Sequence, residues 1–232
     1  MSDLLIKLWQ NGILQLGIWE TIYMTLISTF FAYLIGLPVG LILRMTDRDG
    51  IHPIGWLNRT LGIIVNALRS IPFIILMVAM LPVAKAIVGT SLGNRAVIVT
   101  LVIAAAPYVA RMVESAAKEV DAGVIEAALS MGASTLRIIW KVIIPEIKPG
   151  IVSGALTAFT MSIDDFVISY FTSGTTQTLP IYIYSMTRKR ISPEINALST
   201  VLFVCIMLLL IIINVRQGRE ERRAKKAERE RA

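Results

Sequence analysis

Residues 21–43 run for 23 positions without one charged side chain. A helix crossing ~30 Å of hydrocarbon at about 1.5 Å per residue needs about 20 apolar residues. Backbone polar groups in lipid have no water to bond, so such a run satisfies them within a helix. The pattern recurs along the chain. A second block follows Arg59 and reaches Ala84, interrupted by Arg69; a third lies between Arg95 and Arg111; a fourth starts at Pro149 and runs to about Phe171; a fifth covers residues 195–215. The sequence therefore predicts an all-α polytopic membrane bundle with five transmembrane helices. Composition agrees, since 55% of the residues are hydrophobic and 17% charged, against about a quarter charged in a soluble domain. The third block is short, so its helix is expected to pass its flanking arginines, whose long side chains snorkel.

Residues 1–20 are broken by Lys7, Gln10, Asn11 and Gln15. They lack the long apolar core and small-residue cleavage site of a signal peptide, and Leu4, Leu5, Leu8, Trp9, Ile13 and Leu16 suit the apolar face of an interfacial helix. Residues 21–215 form the membrane domain. Residues 216–232, dense in Arg, Lys, Glu and Ala, read as a charged, solvated tail.

The net charge of +7 lies in loops and in this tail, so membrane topology explains it better than nucleic-acid binding. Of the 23 Lys and Arg residues, 16 fall on one side of the five-span plan and six on the other, with Arg69 inside a span. The positive-inside rule places the larger group in the cytoplasm, the N-terminus outside and the C-terminus inside. The Arg188-Lys189-Arg190 cluster is the exception. Cys205 is the single cysteine, which excludes an internal disulfide and a cysteine-built zinc site, and His52 is the single histidine. No G-x-x-x-x-G-K-[ST] sequence is present, so the chain carries no Walker-type nucleotide site.

The internal loop at residues 116–148 carries helical signals. Asp121 can cap a helix bearing Val124, Ile125, Ala128 and Leu129 on one face, Gly132 suits the position just past its end, and Ser134 or Thr135 can cap a second helix bearing Leu136, Ile139, Trp140 and Ile143. Pro145 is expected to end that helix. An apolar face outside the bilayer needs a partner.

Glu126-Ala127-Ala128, three residues, Gly132, nine residues and Val142-Ile143-Ile144-Pro145 resemble the EAA loop of bacterial ABC importer permeases. Val142 and Ile144 stand where that family has Ile and Leu. The resemblance implies a type I ABC importer permease in the bacterial inner membrane, with this cytoplasmic coupling loop docked in a groove on a separate ATPase. Glu126, Ala127, Ala128, Gly132 and Pro145 are its coupling residues, Glu126 and Gly132 the foremost. It also implies an ATPase dimer, a second copy or a similar permease subunit, an extracytoplasmic substrate-binding protein, no enzymatic role, and no cofactor on this chain, ATP and Mg being bound by the ATPase.

For the substrate, two resemblances compete. From about residue 18 to 135 the chain resembles the methionine importer permease, in Gly36-Leu37-Pro38-Val39-Gly40, in residues 66–76 and in residues 106–114. From about Leu136 it resembles the spermidine/putrescine permease, in residues 162–169 and 192–199. The chain reads as a mosaic joined inside the EAA loop. Asp164 and Asp165 lie within the fourth block, where carboxylates are expensive and functional, and they tilt the expectation toward a polyamine. An ion pair with Arg69 or a place at the helix end would also explain them. Arg69 beside Ser70 and Pro72 marks a break in the second span, and its guanidinium would suit an amino-acid carboxylate, the methionine reading. Tyr170 can pack on alkyl chains or cations or anchor the interface. Asp164, Asp165, Arg69, Ser70 and Tyr170 are the expected path residues. A cation-coupled secondary transporter or channel is the rival from another class, and a membrane enzyme ranks last because no nucleophile–base pair or His cluster is legible.

Overall fold

The computed structural model describes residues 12–164, and beyond them 181, 184, 196, 199–208, 210–212 and 215. The described residues form helices and connecting turns, with no β-strand among them. The helices are α1 (Ile13–Thr46), α2 (Gly55–Ser70), α3 (Phe73–Val88), α4 (Asn94–Lys118), α5 (Ala122–Ser130), α6 (Thr135–Ile138), a π-helical turn (Ile139–Ile143) and α7 (Ile144–Asp164). A shorter apolar helix, α8 (Ser199–Ile212), falls within the fifth block.

Three helical stretches are long and apolar enough to cross a membrane, Gln15–Thr46, Asn94–Lys118 and Thr135–Phe159. The expected second span is a bent pair, Gly55–Ser70 and Ile75–Val88, meeting at 114°. The break falls at Ile71-Pro72, beside Arg69 and Ser70 as anticipated. Pro72 lacks an N–H and pushes Ile71 into extended backbone, and the Ile71 N–H closes α2 on the Ala67 carbonyl at 3.1 Å.

Three sequence expectations need correction. Residues 13–20 continue directly into the first span, because α1 begins at Ile13; its 34 residues measure about 50 Å, well beyond the hydrocarbon thickness. Residues 1–11 lie outside the described set. Pro145 does not end its helix, and Pro149 lies inside α7 rather than in its first turn. The π turn explains the continuity at Pro145. There the Ile144 N–H bonds the Ile139 carbonyl, one residue further back than in an α-helix, and the widened turn makes room for a proline ring that would otherwise strike a carbonyl four residues earlier. The third span behaves as expected, running past Arg95 and Arg111.

The chain divides into two compact units. In the unit of residues 28–80 and 100–158, α1 and α4 cross closely. A Cβ on Gly36 would sit 2.7 Å from the Ala106 carbonyl oxygen, and one on Gly40 2.4 Å from that of Ala110. Small residues four apart allow this approach, the way membrane helices pack when no hydrophobic effect drives them together. Around the crossing, Ala32, Leu41, Val109, Val113, Ala117, Ile125, Ala128, Ile138 and Ile143 form one buried cluster. The Tyr33 hydroxyl donates to the Ile151 carbonyl at 2.8 Å, tying α1 to α7.

In the other unit, residues 1–27, 81–99 and 159–232, Met24, Ala84, Ala96 and Val97 are buried among the described residues. Asn94 hydrogen-bonds the Glu20 carboxylate.

Candidate functional site

The expected coupling loop folds as two short helical pieces. Asp121 caps α5 as anticipated, its Oδ1 accepting from the Gly123 N–H at 2.6 Å. Ile125 and Ala128 face the buried cluster, while Val124 and Leu129 are exposed. Gly132 stops the helix with φ of 76°. Its N–H bonds the Leu129 carbonyl at 2.9 Å and the Ala133 N–H bonds that of Ala128 at 3.0 Å. This is the paired bonding of a helix end whose last residue is left-handed, the conformation glycine adopts without penalty. An added Cβ on Gly132 would meet nothing within 4 Å in this chain, so within the chain the requirement is backbone conformation.

The second piece begins at Ser134, which occupies the cap position without a side-chain bond. The Thr135 hydroxyl instead hydrogen-bonds His52 Nε2 at 2.7 Å, joining the 47–54 loop to this second piece. Leu136 and Trp140, one turn apart, are 68% and 66% exposed, while Ile138 and Ile143 are buried. Met131, in the turn, is 82% exposed. The two pieces thus place Ile125, Ala128, Ile138 and Ile143 on the chain's own core and leave Val124, Leu129, Met131, Leu136 and Trp140 outward. Glu126 and Ala127 are exposed. Glu126 borders a pocket of about 210 Å³ with Arg44, Asp49, Ile51, Leu129 and Ile143. Pro145, also exposed, lies in the first turn of α7.

A charged network stands behind this segment. Glu114, 5% exposed, accepts from Arg111 Nη1 and from Lys118 Nζ at 3.0 Å. Lys118 Nζ also reaches Asp47 Oδ2 at 2.9 Å. The Lys118 contact is the chief reason the Asp47 carboxyl is held below its usual range, with the Arg48 backbone N–H assisting. Arg111 further donates to Asn66 Oδ1 at 2.9 and 3.2 Å, and Arg44 Nε donates to the Ala117 carbonyl at 3.2 Å. Sequence reasoning counted these cations only for topology. The spacing of Arg111, Glu114 and Lys118 on one helix was the available signal; the Asp47 contact had none.

Of the expected path residues, Arg69 is exposed in the last turn of α2 and Ser70 closes that helix, its hydroxyl donating to the Asn66 carbonyl at 2.8 Å. Arg69 borders a pocket of about 400 Å³ with Tyr108, Arg111, Met112, Ser115, Ala116, Glu119 and Gly150. Asp164 is the last residue of α7; Asp165 and Tyr170 lie outside the described residues. No group of three or more metal-ligating side chains occurs among the described residues.

An all-helical polytopic chain with a helical knob between its apolar spans is the architecture of an ABC importer permease. A family described as "Binding-protein-dependent transport system inner membrane component" matches residues 36–226, and the chain belongs to it. It is therefore a multi-pass inner-membrane transport subunit rather than an enzyme, which sets aside the secondary-transporter reading. Over 146 residues the chain is 50% identical to the D-methionine transport system permease protein MetI of Salmonella typhimurium and to that of Escherichia coli, covering 62% of this chain and 67% of each relative. Its fold matches a structure described as inward facing conformations of the MetNI methionine ABC transporter, with TM-score 0.82 and 36% identity over 94% of this chain and 98% of that one. A crystal structure of an amino acid ABC transporter with histidines gives TM-score 0.70 at 18% identity, a likeness of fold alone.

Proposed function

We propose that this permease forms the membrane path of a methionine importer. The observation that carries the reading is the 50% identity to D-methionine permeases. The fold likeness to the MetNI methionine transporter at 36% identity supports it. The expectation of a polyamine, drawn from Asp164, Asp165 and the resemblance from about Leu136 onward, gives way to these methionine relatives.

The permease works with an ATPase dimer, a second permease subunit and an extracytoplasmic binding protein. Residues 122–140 are the dock for the ATPase. Val124, Leu129, Met131, Leu136 and Trp140 supply its apolar contact, and Glu126 stands at its edge. ATP binding by the partner draws two such knobs together, and the permeases alternate between inward-open and outward-open states, each favoured by a different ligand. The N-terminus lies outside and the C-terminus in the cytoplasm, as the distribution of basic residues favours.

Reconstitution tests this function. The permease, its ATPase and the binding protein in proteoliposomes take up labelled methionine in an ATP-dependent way and take up no spermidine. Spermidine uptake without methionine uptake overturns the reading.

A further inference from the structure

We infer that Arg69 is a carboxylate-recognition residue of the permease itself, in a substrate way station along one face of α4. The inference rests on the methionine reading above.

The helix divides sharply by face. Ala106, Val109, Ala110, Val113 and Ala117 are buried, and they form the side of α4 packed on α1 and the core. On the opposite side, Tyr108, Arg111, Met112 and Ser115 recur at three- and four-residue spacing, and they line the pocket of about 400 Å³ together with Glu119, the residue after the helix. A polar stripe on a membrane-crossing helix is costly against lipid and marks a polar route.

The two arginines in this pocket stand in different electrostatic situations. Arg111 is committed. It is bonded to Glu114, to Asn66 and to the Gly62 carbonyl, so its charge is largely offset and its plane is fixed. Arg69 has no ion pair or hydrogen bond from its guanidinium among the described residues, although it stands beside the helix break at Ile71-Pro72. An uncompensated guanidinium at an open pocket presents a planar fork that matches a carboxylate in bidentate fashion. Tyr108 lines the same pocket, and a tyrosine hydroxyl can add a donor. Met112 and Ala116 supply an apolar strip for a short unbranched side chain, and a thioether packs well on a thioether.

The site takes a small α-amino acid with an apolar side chain, held by its carboxylate. Glu119, the residue after α4, lines the same pocket, and its carboxylate can meet the amino group of such a substrate.

The test compares initial methionine uptake by wild type, Arg69→Gln and Arg69→Lys in proteoliposomes holding the complete importer, with assembly checked by size-exclusion chromatography. Arg69→Gln is expected to lose about tenfold or more in uptake, while Arg69→Lys, which keeps the charge without the fork, falls between. Uptake by Arg69→Gln equal to wild type overturns the site and leaves the methionine reading standing. A wild type that imports no methionine overturns that reading and the site with it. If Arg69→Gln fails to assemble, Arg69→Lys and Tyr108→Phe carry the test, and wild-type uptake in both overturns the site.

Discussion

The Lys118 ammonium, at the last residue of α4, lies 2.9 Å from the carboxylate of Asp47, in the loop that follows α1. The same ammonium holds buried Glu114 at 3.0 Å. The end of one membrane helix is thereby tied to the exit of another, beside the turn that leads into the coupling segment.

The Asp47 carboxyl is depressed in the folded state, chiefly by Lys118. A depressed carboxyl contributes stability that is fully present above its unfolded pKa and is lost as pH falls through its folded pKa. Wild type is therefore expected to lose stability as pH drops below the ordinary carboxylate range, and Asp47→Asn to show a shallower loss over that window. Thermal unfolding in detergent as a function of pH measures this. Identical profiles would show that the pair contributes nothing.

Glu114 is buried between two cations. Its removal takes the shared anion from both, while Lys118 keeps Asp47 and Arg111 keeps Asn66. Glu114→Ala is expected to destabilise by about 1–3 kcal/mol, read as a lowered midpoint in detergent unfolding. Glu114→Asp, which keeps the charge on a shorter arm, is expected to lose less.

Gly132 holds a left-handed conformation with open space around it. The cost of a side chain is conformational, about 1–2 kcal/mol for alanine and less for asparagine. Gly132→Ala is expected to insert and fold but to turn the Leu136–Trp140 face away from its dock. The measurement is methionine imported per ATP hydrolysed, which falls in Gly132→Ala and recovers partly in Gly132→Asn.

At the α1–α4 crossing the obstacle is steric. The Cβ of Gly40→Ala would strike the Ala110 carbonyl, and overpacking of this kind costs about 1–3 kcal/mol. Gly40→Leu is expected to abolish stable assembly, seen as loss of the monodisperse peak in size-exclusion chromatography. Gly62→Ala, whose added Cβ meets only an Arg111 nitrogen at 3.6 Å, is expected to assemble normally.

Where local chemistry decides, the sequence was readable. The Asp121 cap, the Gly132 stop and the break beside Pro72 each follow from the preferences of one residue, and each stands where those preferences put it. The family motif over residues 126–145 was legible for the same reason, being fixed spacing of unusual residue types. What failed was whatever depends on a neighbour. Pro145 reads as a helix end unless a π turn precedes it, and nothing in Ile139-Trp140-Lys141-Val142-Ile143 announces one. Residues 13–20 look too polar for a span because the length of α1 beyond the hydrocarbon carries no apolar requirement. The Asp47–Lys118 and His52–Thr135 contacts join segments distant in sequence, so no local pattern encodes them. In α5, four apolar residues looked alike, and only packing separates buried Ile125 and Ala128 from outward Val124 and Leu129.

In the proposed function the turn around Met131 seats against an ATPase on the cytoplasmic side. Cys205 is the single cysteine, so Met131→Cys in a Cys205→Ala background gives one defined thiol. Cross-linking of the assembled importer with a short bifunctional thiol reagent, the ATPase carrying single cysteines along its membrane-facing groove, is the direct measurement. A Met131–ATPase cross-link whose yield changes on adding ATP is the predicted result. Labelling of that thiol by an impermeant reagent from the extracytoplasmic side, with no cross-link formed, would contradict the account.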